Sequence, residues 1–376
     1  MKILVTGAGG FIGKNLTAAL RSMGRHEALA FRSEDRGEQL QTYCSECDFV
    51  FHLAGVNRPK SDEEFETGNT VFTRKLTDCL TEGSRCPVVF ASSIQAELNN
   101  PYGRSKRAAE AILQAYGEKT GAPVYLYRLP NVFGKWCRPN YNSVIATFCH
   151  NTANGLPVRV DNADQMLRLV YIDDVVEEFV RTLNGEIAVR DSFCTVPEMY
   201  QEKLGNIADM IQGFSRCAEK LEVPNLSDAF TKKLYSTYLS YLPESRLKYS
   251  LTVHQDVRGA FAEFMRTEDS GQFSVNVTRP GCIKGNHWHH TKHEIFLAVS
   301  GEGIIRLRRA VGGPLIEIPV RGSNLEPVVI PPGYTHMLEN SGDTDLITVM
   351  WASECYDPQR PDTFYLDVQE GATWRS

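Results

Sequence analysis

Long hydrophobic runs are missing from this sequence of 376 residues. None approaches the roughly 18 apolar residues that a membrane-spanning helix requires, so no membrane association is expected. Basic charge is not in excess: 40 Lys and Arg stand against 46 Asp and Glu, a net charge of −6. That balance argues against a protein held to nucleic acid by phosphate contacts. Low-complexity tracts, internal repeats and long linkers are also missing. With 42% hydrophobic and 23% charged residues, the composition is that of a globular chain and excludes disorder. The 10 cysteines are too sparse for a disulfide scaffold. They are expected to be dispersed reduced thiols without a C-x-x-C pair, as in the cytoplasm. Met1 is followed almost at once by the strand-like Ile3-Leu4-Val5, so no secretory leader is expected.

What is present divides in two, as the length suggests. Over the first 130 residues, apolar runs at Lys2–Thr6, Glu27–Phe31, Asp48–Ala54, Val88–Ala91 and Val124–Leu129 alternate with helical spacing at Phe11–Ser22, Asn69–Leu80 and Ser105–Tyr116. That alternation predicts an α/β doubly wound, Rossmann-type parallel sheet with crossover helices. After about Pro243 the pattern becomes short alternating runs broken by turn residues, among them Phe273–Thr278, Glu294–Ser300, Gly303–Arg309, Pro327–Ile330 and Leu346–Trp351. Such spacing predicts an all-β sandwich or barrel. The expected domains are residues 1–245 and 246–376.

Gly7-Ala8-Gly9-Gly10-Phe11-Ile12-Gly13 follows the first strand and opens a helix. Gly7 permits a tight turn, Gly10 lets backbone approach a pyrophosphate, and Gly13 lets the helix pack closely on the strand. The free N–H groups of the helix N-terminus attract the anion. After the second strand come Arg32 and Ser33, which suit a 2′-phosphate and hence NADPH, while Glu34 and Asp35 keep NAD open. Tyr102 and Lys106 lie four apart, on one face of a helix, downstream of Ser92-Ser93 at a strand end. A tyrosine of pKa near 10 must gain roughly 4 kcal/mol of differential stabilisation to titrate near 7. A lysine ammonium and a cationic nicotinamide can supply it.

Residues 1–185 resemble the extended short-chain dehydrogenases/reductases acting on nucleotide sugars. The resemblance rests on GAGGFIG (7–13), HLAG (52–55), Asn69, FASS (90–93), PYGRSK (101–106), RLPNVFG (128–134) and LRLVYIDDVV (167–176). It implies that Ser93, Tyr102 and Lys106 are catalytic. It places Gly7, Gly10, Phe11, Ile12, Gly13, Arg32, Ser33, Ala54, Gly55, Asn69, Tyr102 and Lys106 on the cofactor, and Asn131 and Arg168 on the nucleotide sugar. Dehydratases of this group follow the catalytic Thr with Asp-Glu. Here Ile94-Gln95 stands in that place, and a 4-ketoreductase consuming NADPH fits better.

In the second half, Gly281-x5-His287-x-His289-x4-Glu294-x6-Gly301 and Pro331-x-Gly333-x2-His336-x3-Asn340 are dense in ligand types. His287 and His289 alternate on a strand and so share a face. With Glu294 and His336 they form a set suited to zinc, iron, manganese or nickel, with zinc the first expectation. The two stretches resemble the cupin motifs, although Leu325 replaces the leading glycine of the second. The resemblance implies an all-β cupin barrel with His287, His289, Glu294 and His336 as ligands. Asp256-x-Arg258-Gly259-x-Phe261-x-Glu263 is similar to the opening of the dTDP-4-dehydrorhamnose 3,5-epimerases, cupins that use no metal.

The whole chain resembles the bifunctional capsule and O-antigen enzymes, in which a cupin epimerises a UDP-4-hexulose at C3 and a reductase domain reduces the C4 ketone. The resemblance implies a UDP-linked 4-keto-6-deoxy sugar as substrate, UDP-2-acetamido-2,6-dideoxy-L-talose as product on the route to UDP-N-acetyl-L-fucosamine, and a homodimer. Two other readings are a dTDP-4-dehydrorhamnose-type reductase with a fused epimerase, and a non-enzymatic protein sensing NADP or metal.

Overall fold

Ile3, Leu4 and Val5 are fully buried, because strand β1 (Lys2–Thr6) has a sheet neighbour on each side and helices over both faces. Alternation sends Ile3 and Val5 to one face, with Leu16 and Leu20 of α1 (Phe11–Ser22). Leu4 goes to the other, with Leu40 of α2 (Gly37–Glu46). A strand covered on both faces reads as a continuous apolar run, which is why alternation is invisible in the sequence. The computed structural model describes residues 1–59, 61–190, 192–267 and 270–369.

Strands β2 (Glu27–Phe31), β3 (Phe49–His52), β4 (Val88–Ser93) and β5 (Val124–Leu129) run parallel with β1 in the order β2-β1-β3-β4-β5. This doubly wound order has its switch point between β1 and β3, where ligands are bound at the strands' C-terminal ends. Between β3 and β4 the chain forms α3 (Glu63–Phe65), a π-helical turn (Glu66–Val71) and α4 (Phe72–Glu82). Helix α5 (Pro101–Thr120) starts earlier than its apolar spacing predicts. The Asn100 side chain accepts from the Gly103 N–H at 2.7 Å and Pro101 occupies the first turn. That cap brings Tyr102 inside the helix, so that it and Lys106 share a face.

Strand β6 (Asn131–Phe133), α6 (Val144–Ala153), β7 (Met166–Tyr171) and α7 (Ile172–Leu183) follow. Next come β8 (Val189–Arg190), β9 (Phe193–Cys194), β10 (Tyr200–Lys203), α8 (Leu204–Glu219), β11 (Glu222–Val223) and α9 (Ala229–Leu239). β10, β7 and β6 make a small separate sheet.

The chain divides into two units, Met1–Gln212 with Ala229–Pro243, and Gly213–Asp228 with Glu244 onward. The second therefore takes a segment from ahead of the expected boundary. The physical reason is that β11 adds to β13 (Gly259–Thr267) as a parallel edge strand. In this unit β12 (Val253–Asp256), β14 (Gly271–Thr278), β16 (Glu294–Ser300), β19 (Val328–Ile330) and β21 (Leu346–Ala352) join β11 and β13 in one sheet. β15 (Ile283–Trp288), β17 (Glu302–Arg309), β18 (Ile316–Arg321), β20 (Tyr334–Asn340) and β22 (Phe364–Tyr365) form the other. Phe296, Ile305, Leu307, Val320, Ile330, Leu338 and Leu346, drawn from both sheets, form its core. This is the all-β layout expected of a cupin barrel.

One cysteine expectation is corrected: Cys44 and Cys47 do stand in a C-x-x-C spacing. Both are buried free thiols packed in the core, and Cys47 Sγ lies 3.5 Å from Cys86 Sγ. No helix among the described residues is long and apolar enough to cross a membrane.

Candidate active site and candidate metal centre

Gly7 adopts φ +68°, and a Cβ there would meet Ala54 N at 2.7 Å. A Cβ on Gly13 would meet the Gly7 carbonyl oxygen at 2.2 Å. The turn, the start of α1 and the loop after β3 are thus packed too closely for any side chain, which leaves the first-turn N–H groups of α1 bare. Gly7, Gly10, Phe11, Ile12, Gly13, Ser33 and Gly55 line one side of a cavity of about 760 Å³. This cradle fits a dinucleotide pyrophosphate. Arg32 runs along Gly9, whose Cβ would stand 3.9 Å from the Arg32 side chain. Its backbone N–H donates to Asp35 at 2.7 Å, which turns the acidic side chain back onto the chain.

The same cavity is lined further along by Ser93, Tyr102, Lys106 and Asn131. Lys106 is buried, donates to the Ala91 carbonyl at 2.9 Å and stands 4.7 Å from the centre of the Phe90 ring. Burial lowers its pKa to about 8, against the opposing pull of Glu110. Burial pushes the Tyr102 phenol above its ordinary value, and the Ser93 hydroxyl beside it pulls back down. The direction in the chain by itself is upward, whereas the lowering expected above comes from Lys106 and a cationic nicotinamide together. Desolvation outweighs the Ser93 hydroxyl, and the phenol keeps its proton. Asn69, on the π-helical turn, accepts from Val56 N–H at 2.7 Å and donates to Ser105 Oγ at 2.9 Å. It ties the loop after β3 to α5, beside Gly55. Arg168 is exposed on β7, and its contact is a carbonyl that accepts from Asn131 at 3.2 Å. Its side chain is not among the described residues lining the cavity.

Sequence reasoning missed two groups here. Trp136, Arg138, Tyr141 and Asn142 line the end of the cavity beyond Asn131. Their signal was a polar, aromatic stretch directly after RLPNVFG. Beneath the site, Arg128 donates to both oxygens of buried Glu110, at 3.0 and 2.7 Å. Glu110 follows Lys106 by one helical turn, a spacing that could have marked it.

In the all-β unit, His287, His289, Glu294 and His336 bring one ligand atom each to within 4.8 Å of one another. Strand alternation alone does not achieve this, since β15 ends at Trp288 and His289 lies just beyond it. The register of β15 on β20 slips between Gly285 and His287, with Asn286 at φ +58°, and the bulge sets His287 opposite His336. Burial holds the His287 ring neutral, its pKa brought down to about 3. Burial opposes ionisation of Glu294, yet the His289 and His336 rings hold its carboxyl well below the usual range. His336 Nε2 stands 3.1 Å from Glu294 Oε2 but is not aligned as a hydrogen bond, and this buried nitrogen has no hydrogen-bond partner. Three imidazoles and one carboxylate, with a ring nitrogen left bare, fit a divalent cation. His290 packs on Trp288 and Phe364, and His293 on Trp351, outside the cluster. A cavity of about 660 Å³ opens on His287, Glu294 and His336, and is also lined by Asp256, Arg258, Glu263 and Lys284.

A glycine cradle joined to a Ser-Tyr-Lys set on a doubly wound sheet defines a nicotinamide-dependent enzyme of the dehydrogenase and epimerase type. Residues 3–190 match the NAD dependent epimerase/dehydratase family, to which the chain belongs, and residues 254–364 match the polysaccharide biosynthesis C-terminal domain. The chain is 44% identical over 373 residues to the UDP-2-acetamido-2,6-beta-L-arabino-hexul-4-ose reductase of Pseudomonas aeruginosa, covering 99% of this chain and 100% of that one. It is similar to the crystal structure of the capsular polysaccharide assembling protein CapF from Staphylococcus aureus, with 47% identity, TM-score 0.92, and 98% and 100% of the two chains covered. The UDP-glucuronic acid 4-epimerase of Bacillus cereus, solved with NAD, shares the fold over 64% of this chain and 98% of its own, at 18% identity and TM-score 0.55.

Proposed function

We propose that the chain is a bifunctional nucleotide-sugar enzyme. Its N-terminal unit reduces the C4 ketone of a UDP-2-acetamido-2,6-dideoxy-4-hexulose with NADPH, and its all-β unit first inverts the carbon next to that ketone. The product is UDP-2-acetamido-2,6-dideoxy-L-talose, for capsule or O-antigen assembly. The observation that carries this reading is the placement of Ser93, Tyr102 and Lys106 around the cavity that the glycine turn lines. Full-length identity to a hexul-4-ose reductase supports the substrate class.

NADPH, when bound, supplies the hydride for C4. The chain does the rest. Ser93 holds the ketone oxygen, and neutral Tyr102 gives its phenolic proton to that oxygen as negative charge develops there. Lys106 places a buried positive charge beside the tyrosinate so formed. Arg32 and Ser33 take the 2′-phosphate. Arg138, Tyr141 and Asn142 line the part of the cavity suited to the nucleotide.

In the all-β unit, His287, His289, Glu294 and His336 would hold a divalent cation, zinc in the first instance, which would supply positive charge beside the ketone oxygen. A proton next to a ketone is acidic enough to be removed and returned on the other face within the cavity that contains Asp256, Lys284 and His287. The protein acts as a homodimer in the cytoplasm.

NMR assignment of products from the UDP-4-hexulose, with and without NADPH, tests the reading. Without NADPH the epimerised ketone should accumulate, and with it the talose. Reduction of the unepimerised sugar alone would sink the two-step assignment.

A further inference from the structure

We propose that Asp362 is the positioning residue of the metal cluster: its carboxylate clamps the 290–292 loop, and its carbonyl fixes which nitrogen His289 offers to the cation. This rests on the metal reading above. The Asp362 side chain accepts from the backbone N–H groups of His290 at 2.8 Å, Thr291 at 2.8 Å and Lys292 at 2.9 Å, and from the Thr291 hydroxyl at 3.1 Å. These residues form the turn between the ligands His289 and Glu294. Three N–H groups converging on one carboxylate make an anion nest, filled here by the chain itself.

The carbonyl of the same residue meets His289 Nδ1. A carbonyl only accepts, so Nδ1 carries the proton, and Nε2 is the free lone pair, 3.4 Å from Glu294 Oε2. Metal-binding imidazoles are oriented in this way by a partner on the far nitrogen. The following residues reach the other ligand strand. Tyr365 of β22 pairs with His287, and Leu366 N–H donates to the Asn286 carbonyl at 2.9 Å, at the bulge that turns His287 inward. One stretch, 362–366, thus holds both sides of the cluster from more than 70 residues away in sequence.

The test uses the full chain. Zinc affinity is measured by competition with a chromophoric chelator, and site geometry by the visible spectrum of the cobalt-substituted protein. Asp362→Ala should weaken zinc about 10- to 100-fold and alter the cobalt bands, with NADPH binding unchanged. Thr291→Ala removes the hydroxyl that faces Asp362 and Glu354, each at 3.1 Å, while keeping the backbone N–H in place, and should weaken zinc several-fold in a protein that melts like the parent without metal. If Asp362→Ala fails to fold, Thr291→Ala decides. Parent-like zinc affinity and cobalt spectra in the folded variants would overturn the clamp while leaving the metal reading intact. A parent chain that takes up no zinc would overturn the metal reading itself, and is seen in the first titration.

Discussion

The hydroxyl of Ser92 donates to Glu110 at 2.5 Å, and both residues are buried directly beneath the Ser-Tyr-Lys site. Ser92 separates Ala91, whose carbonyl holds Lys106, from Ser93, whose hydroxyl faces Tyr102. Glu110 is thereby coupled to the site by geometry, through the end of β4, and by charge, through Lys106. Glu110→Gln removes the negative charge that raises the Lys106 pKa and leaves Arg128 with only the exposed Glu97, at 3.4 Å, as its carboxylate partner. Both changes lower that pKa further. In the proposed mechanism Lys106 acts as the ammonium, so reductase activity should fall off as pH rises through about 8 in the parent. In the variant it should fall at lower pH. The kcat/KM profile against pH checks this, and an unshifted alkaline limb would contradict it.

Tyr102→Phe should lower the reductase kcat by at least about 10²-fold, the usual contribution of a positioned proton donor. NADPH binding should stay within about two-fold, since the glycine turn and not the phenol forms the cradle. Fluorescence titration of NADPH alongside turnover separates the two effects. Retained turnover would assign the proton to another group.

Arg32→Asp should erase or reverse a preference for NADPH over NADH. A charge-assisted hydrogen bond to the 2′-phosphate is worth about 1.5–3 kcal/mol, or roughly ten- to hundred-fold in kcat/KM. Comparison of the two cofactors in parent and variant gives the answer. Equal use of both by the parent would remove the 2′-phosphate from the reading.

The all-β unit should exchange a proton next to the ketone with D₂O in the absence of NADPH. Tyr102→Phe should keep this exchange, and His336→Ala should lose both the exchange and the bound metal, by elemental analysis. Removing the metal by chelation should lower the melting temperature if the ion is structural, and abolish exchange alone if it is catalytic. Point variants are the right tools. A chain cut near Pro243 would strip β13 from β11 and leave 213–228 without its sheet. Undiminished exchange in a metal-free His336→Ala protein would place the chemistry elsewhere.

The sequence by itself determined whatever depends on neighbours along the chain. GAGGFIG specified the turn because only residues without a Cβ fit contacts of 2.7 and 2.2 Å. Tyr102 and Lys106 were legible because a helix brings positions four apart to one face. His287, His289, Glu294 and His336 were legible as ligand types at a recognisable spacing. Tertiary structure alone decided the rest. The Asn286 bulge, and not simple alternation, sets His287 opposite His336. Burial raises the Tyr102 pKa where local charge predicted a fall. Arg128, Glu110 and Ser92 meet only because β4, α5 and β5 pack together, and Asp362 reaches the loop after His289 only because β22 adds to β15. None of these pairings leaves a periodic trace, because each is fixed by the packing of distant segments and by the dielectric that packing creates.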